Sequence, residues 1–247
     1  MPNVLVEIIG SSAHDCLAIE AAGADRVELC SALVLGGLTP SVGVIEECKR
    51  RCRLPIMAMV RPRAAGMHYS ESEFASMERD VDAALDAGAD GVVFGVLRED
   101  GTLDAARMSA LARRAEGAQT VCHRAFDVTP SAFEALETLV DMGFTRVLTS
   151  GQKASALDGA SLVRQLIERA DGRIEVLPGA GLTFENVRSF VEETGCNQVH
   201  LAAFGVTADA SGAGNPSVEF SGSAPPAEGF FDAVDVSAVA SVVRALG

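Results

Sequence analysis

Short aliphatic and β-branched runs alternate with longer amphipathic segments along almost the whole chain. Eight of these runs predict strands, at residues 4–9, 26–30, 56–61, 91–96, 120–126, 146–150, 174–177 and 198–204. The segments between them carry apolar residues at helical spacing; residues 70–73, for example, form a capping box ahead of Phe74, Met77 and Val81. Strands that alternate with helices are typical of βαβ units and a parallel sheet.

Eight βα units in 247 residues match the size of one (β/α)8 barrel. We therefore predict an α/β protein with a single TIM-barrel domain over residues 1–247. One segment interrupts the alternation: residues 205–229 are rich in Gly, Ser, Ala and Pro, and predict a long loop that is either a lid or a solvated, variable segment. Residues 230–246 are predicted to form the closing helix.

Polar residues follow several predicted strands, at the barrel face where such folds carry their sites. Glu7 and Glu28 occupy similar levels on the first two strands, and neighbouring carboxylates suit acid–base chemistry or a hard cation. A salt bridge from each carboxylate to Arg61 or Arg63 is the alternative. His123 is a general base, a ligand or a hydrogen-bonded positioning residue. The catalytic candidates, expected to face one cavity, are Glu7, Glu28, Arg61, His123, Asp127 and His200.

An anion site is predicted at the same face. Arg61 and Arg63 flank a proline, and arginine forks bind carboxylate or phosphate in bidentate fashion. Glycines after the seventh strand expose backbone amides just before a helix that is predicted to begin at Thr183, and barrels often bind phosphate there. The candidate anion-binding residues are Arg61, Arg63, Ser150, Gly179 and Gly181.

Composition narrows the class of protein. The formal net charge of −14 argues against partners with phosphate backbones and against anionic membranes, so we expect neither nucleic acid nor membrane binding. The N-terminus shows no signal-peptide pattern, and with six scattered cysteines we expect reduced thiols and a cytoplasmic location. Cys48 and Cys52, four residues apart on a predicted helix, are interpreted as surface or packing thiols, and Cys16 as a core or surface residue. We also expect a small anionic ligand and a homo-oligomer.

Several motifs together resemble the CutC family of copper homeostasis proteins. They are the segments at residues 23–30, 36–41, 60–63, 90–95, 123–127, 146–151 and 177–181, with Asn215-Pro216 resembling the family's Asn-Pro element. The resemblance covers nearly the whole chain. It implies a (β/α)8 fold and a cytoplasmic role in copper handling.

The resemblance also implies a metal ligand. Family members proposed to bind copper carry one cysteine at the end of strand 1 and another at the end of strand 2; here the second is Cys30, but Ile9 stands at the first position. Because Cu(I) favours two or more sulfur ligands, Cys30 would need help from Met57 or Met59, and we expect weak Cu(I) binding or none. The alternative, favoured by the polar mouth, is a barrel enzyme of unassigned chemistry acting on a small anionic or phosphorylated compound. A binding or scaffolding barrel is a third interpretation.

Overall fold

Eight parallel strands form the barrel. The computed structural model describes residues 4–215, 217, 218, 220 and 226–247, so Pro216 lies outside the described residues. The strands are β1 Leu5–Gly10, β2 Arg26–Leu29, β3 Ile56–Met59, β4 Gly91–Phe94, β5 Gln119–Cys122, β6 Arg146–Thr149, β7 Glu175–Pro178 and β8 Gln198–Leu201. Their order is β7-β6-β5-β4-β3-β2-β1-β8, and a parallel bridge between Gly179 and His200 brings β7 and β8 together. The predicted (β/α)8 barrel is confirmed.

Helices surround the sheet and cover its outer face. They are α1 Ala13–Ala21, α2 Val42–Arg51, α3 Glu71–Asp86, α4 Ala105–Arg114, α5 Ala132–Asp141, α6 Ala160–Ala170, α7 Val187–Thr194 and α8 Val236–Leu246. The predicted capping box begins α3, with Ser70 and Glu73 each satisfying the other's backbone amide. The apolar stripe that follows is buried at Met77 and Val81. Among the described residues, none of the helices combines the length and apolar character needed to cross a membrane.

Three sequence predictions need correction. The fifth strand ends at Cys122 because Arg124–Val128 forms a 3-10 helix. After β8, Phe204–Ala208 (β9) pairs antiparallel with Phe230–Val234 (β10). Residues 205–208 of the predicted loop therefore belong to a strand. The closing helix starts later than residue 230, because the Asp235 carboxylate accepts from the amides of Ser237 and Ala238 and caps α8 there.

The floor of the barrel is polar. Five strands begin with a polar residue, and these side chains meet inside: Arg146 donates to Glu175 at 2.7 Å, to Gln198 at 3.1 Å and to Gln119 at 2.9 Å. Arg26 also donates to Gln198, at 2.9 Å. Arg146 is only 2% exposed, and burial lowers its pKa despite these neighbours. Above the floor lies a small apolar cluster of Cys30, Met57, Met59, Val93 and Val121.

We predict that Gly159 is indispensable to the loop between β6 and α6. A Cβ on Gly159 would lie 1.9 Å from the carbonyl oxygen of Ser150. Gly159→Ala should therefore lower the free energy of unfolding in urea by about 3 kcal/mol or more, as severe overpacking does. Gly43→Ala is the control: it lies on α2 with nothing within 4 Å of an added Cβ, and should raise stability by up to about 1 kcal/mol. Equal effects of the two substitutions would contradict this packing.

Candidate functional site

A histidine and two carboxylates form a chain inside the barrel. Glu7 on β1 lies opposite His200 on β8 in the strand register. His200 Nδ1 is 2.7 Å from Glu7 Oε1, and His200 Nε2 is 3.8 Å from Glu28 Oε2. All three side chains are buried, and their oxygen and nitrogen atoms converge closely enough to hold a cation. The structure thus brings together three of the predicted catalytic residues.

The charges in this cluster are set by burial and by each other. Burial raises the pKa of Glu7, but the hydrogen bond with His200 and the charge of Arg26, which contacts Glu7 directly, bring that pKa down to about 2. Burial raises the pKa of Glu28. The charge of the nearby His200 lowers this pKa again, but only in part. Burial lowers the pKa of His200, but the charges of Glu28 and Glu7 raise it overall. Glu7 therefore stays ionised and holds the His200 ring. His200 and Glu28 are the two groups whose protonation can change.

A cavity of about 470 Å³ opens above Glu28. Ile9, Glu28 and Cys30 line it from the strand ends, and Phe204 and Val206 line it from β9. Its wall is largely apolar and its polar groups are few, which is the usual character of a small-molecule pocket. Glu28, with His200 behind it, thus lies beside a space large enough for a ligand.

His123 and Arg61 supply two further polar atoms. His123 Nδ1 accepts from the Ala125 amide at 3.1 Å, which leaves the proton of a neutral ring on Nε2. Burial, and then the charge of Arg61, lower the pKa of His123 to about 4. Arg61 donates to the carbonyls of Leu35, Gly37 and Ala65. Within the described part of the chain, His123 Nε2 and Arg61 Nε are buried without a hydrogen-bond partner.

Asp127 and Ser150 have structural partners. The Asp127 carboxylate accepts from the Thr149 hydroxyl at 2.5 Å, from the Ser150 amide and hydroxyl, and from Arg124. The Ser150 hydroxyl also contacts the carbonyl of Lys153. These bonds join the loops after β5 and β6. Asp127 therefore serves here as an anchor for two loops, a role that differs from the predicted catalytic one.

The structure does not bring Arg63 to the barrel mouth. Its guanidinium donates to Glu73 at 2.5 Å and to the carbonyls of Gly66 and His68, and it stacks on Tyr69. These contacts tie Arg63 to the segment that enters α3. Because its donors are occupied there, the candidate anion site retains Arg61 but loses this second arginine.

The glycine turn after β7 also differs from the expectation. The Gly179 amide donates to the carbonyl of Thr149 at 3.0 Å, and the Asn186 side chain donates to the carbonyl of Gly181. The helix predicted to begin at Thr183 begins at Val187, so its N-terminus does not adjoin the glycines. The combined anion site of two arginines and these amides is therefore not assembled in the structure.

Sequence reasoning missed the residues that support the cluster. Arg26 contacts Glu7, and Gln198 accepts from Arg26. The signal was available in the strand periodicity: Arg26 lies two residues before Glu28, and Gln198 two residues before His200, so each pair shares the inner face. Arg26 and Gln198 lie at the N-terminal ends of their strands, and these ends of barrel strands seldom carry chemistry.

Fold and site together define a (β/α)8 barrel with a buried carboxylate–histidine–carboxylate cluster at its mouth. The family model for the CutC family matches residues 4–205. A CutC family protein from Treponema denticola is 45% identical over 246 residues, covering 100% of both chains. The human protein named copper homeostasis protein cutC homolog is 43% identical, over 81% of this chain and 73% of its own. A solved CutC structure from Streptococcus agalactiae has a TM-score of 0.77 and 33% identity, over 80% of this chain and 98% of that one. The chain belongs to the CutC family.

We predict that His123 makes the protein less stable in mild acid. Below its ordinary pKa of 6.5 the histidine of the unfolded chain gains a proton, whereas the folded protein resists protonation down to about pH 4. The free energy of unfolding should therefore fall as the pH drops from 7.5 to 5, with about 2 kcal/mol of that fall due to His123. Urea titrations at both pH values measure it.

The matched variant is His123→Asn, whose amide oxygen can still accept from Ala125 but does not titrate in this range. Its stability should depend less on pH than that of the wild-type protein over the same interval. An identical pH dependence of the two proteins would show that His123 is not held neutral by its surroundings.

Proposed function

We propose that the protein takes part in copper homeostasis in the cytoplasm, with the barrel mouth as its working site. The human relative is named a copper homeostasis protein, which supports this role. The family match covers residues 4–205 and so includes Glu7, Glu28 and His200. The observation that carries the choice of site is the Glu7–His200–Glu28 chain beside an open cavity. The cytoplasmic location is supported by the cysteines, all six of which are free thiols.

The donors at the mouth fit Cu(I) poorly. Cys30 supplies one thiol, and the thioethers of Met57 and Met59 lie in the same cluster. Burial and the adjacent Glu28, whose Oε2 is 3.6 Å from the sulfur, raise the pKa of Cys30. The remaining donors are hard oxygens and one imidazole, whereas Cu(I) favours soft sulfur. We therefore assign no step to copper at this position.

The first functional prediction follows from this mismatch. Cys30→Ser should leave the Cu(I) affinity of the reduced protein unchanged within about threefold, which is less than 1 kcal/mol. Competition against a chromogenic Cu(I) chelator under anaerobic conditions measures the affinity. A loss of more than about tenfold in the variant would show that Cys30 binds copper and that the mouth is a metal site.

A second candidate function is acid–base chemistry on a small polar or anionic compound, including a phosphorylated one. The raised pKa of Glu28, the proton link to His200 and the two unpartnered nitrogens of His123 and Arg61 favour it. A ligand in the cavity would meet Glu28 as the proton donor or acceptor, with His200 restoring its protonation state and Glu7 holding the imidazole. This candidate is compatible with the first, because an enzyme can serve copper homeostasis without carrying the metal. A small anionic ligand and self-association remain parts of the proposal.

The test is complementation of a copper-sensitive strain that lacks its own family member. The wild-type gene should restore growth at raised copper, and His200→Gln should fail to do so, because Gln cannot relay the proton between two carboxylates. Glu168→Gln is the matched control, since this exposed residue lies on α6, which packs against α5 and α7. Equal protein levels are verified by immunoblot.

Full restoration by His200→Gln would contradict the assignment of the mouth as the working site. Failure of the wild-type gene to restore growth would contradict the proposed role in copper homeostasis itself.

A further inference from the structure

Three cysteines meet between the first two helices, away from the barrel mouth. Cys16 on α1 and Cys48 on α2 are 32 residues apart in the chain, but their sulfur atoms lie 3.4 Å apart. Cys52 caps the C-terminal end of α2, and its sulfur lies 3.6 Å from the carbonyl oxygen of Cys16. All three side chains are buried, with exposures of 0%, 0% and 3%. The sequence predicted surface or packing thiols for Cys48 and Cys52; the fold brings the sulfur of Cys48 against that of Cys16.

The other cysteines have different surroundings. The Cys30 sulfur lies beside the Glu28 carboxylate, and the Cys122 sulfur contacts the carbonyl of His123. In the part of the chain that the structure describes, Cys16 and Cys48 are the only pair of sulfur atoms in hydrogen-bonding contact. The α1–α2 interface therefore offers two thiols in direct contact, whereas the barrel mouth offers one thiol with two thioethers in its cluster.

We propose that Cys16 and Cys48 bind Cu(I) between α1 and α2. This inference rests on the proposed role in copper homeostasis and supplies the metal site that the mouth does not provide. Cu(I) is soft, and thiolate ligands select it. A metal–thiolate bond is about 2.3 Å long, so two sulfurs on opposite sides of one ion lie up to about 4.6 Å apart, and the observed pair, at 3.4 Å, needs to open by up to about 1.2 Å.

The binding step is a proton-for-metal exchange. As each copper–sulfur bond forms, the corresponding S–H bond breaks and its proton passes to the solvent; the copper stays Cu(I), and no electrons are transferred. With two thiolates the complex carries one negative charge. The cations near these cysteines in the chain already have carboxylate partners: Lys49 pairs with Asp90, Arg50 and Arg51 pair with Glu47, and Arg53 pairs with Glu20.

The experiment is an anaerobic competition titration of the full-length, reduced protein with Cu(I) held by a chromogenic chelator. Wild-type protein and Cys30→Ser should each bind one Cu(I) with the same affinity. Cys16→Ser and Cys48→Ser should each weaken binding by more than about tenfold. Cys122→Ser is the matched control, because it removes an equally buried thiol that has no sulfur neighbour. Thermal melts of the metal-free variants check that each is folded.

X-ray absorption at the copper edge keeps the inference testable if a cysteine variant fails to fold. In Cu(I)-loaded Cys30→Ser protein the first shell should contain two sulfur atoms and no nitrogen or oxygen. A first shell with nitrogen or oxygen would overturn the inference, and so would unchanged affinity in folded Cys48→Ser. If Cu(I) does not bind but the wild-type gene still restores copper tolerance, this site is refuted and the proposed role stands. Failure of that complementation instead refutes the role.

Discussion

The barrel mouth depends on the buried ion pair between Glu7 and Arg26. Taking two charges out of water costs several kcal/mol for each ion, so an inner-face carboxylate is tolerated only with close partners on every side. Arg26 meets one oxygen of Glu7, and His200 meets the other. Arg26 in turn needs Gln198, which also accepts from Arg146. The polar floor and the mouth are therefore one connected network.

This network fixes the chemistry that the mouth can perform. Because Glu7 holds Nδ1 of His200, Nε2 is directed towards Glu28, the residue that borders the cavity. A histidine held by one carboxylate and facing another is suited to moving protons, and its hard donors are unsuited to Cu(I). The soft donors of Cys16 and Cys48 lie outside the sheet, between two helices. The fold thus separates proton chemistry from sulfur chemistry.

Much of the architecture could be predicted from the sequence, because buried parallel strands form continuous apolar runs with regular spacing. Strand periodicity also placed Glu7 and Glu28 on the inner face. Other features depend on contacts that no local pattern encodes. The β9–β10 hairpin lies next to a Gly- and Ser-rich segment whose composition indicated a loop. The donors of Arg63 are occupied by a turn that forms only in the folded chain. The Cys16–Cys48 contact joins residues that are far apart in sequence.

Side-chain ¹⁵N NMR of the histidines across a pH titration tests the buried network most directly. The account predicts that the His200 ring stays doubly protonated above its ordinary pKa of 6.5, while His123 remains neutral well below that value. In Glu7→Gln the pKa of His200 should fall, because one of the two charges that raise it is gone. A His200 ring that is neutral at pH 6.5, and unaffected by the loss of Glu7, would contradict the account.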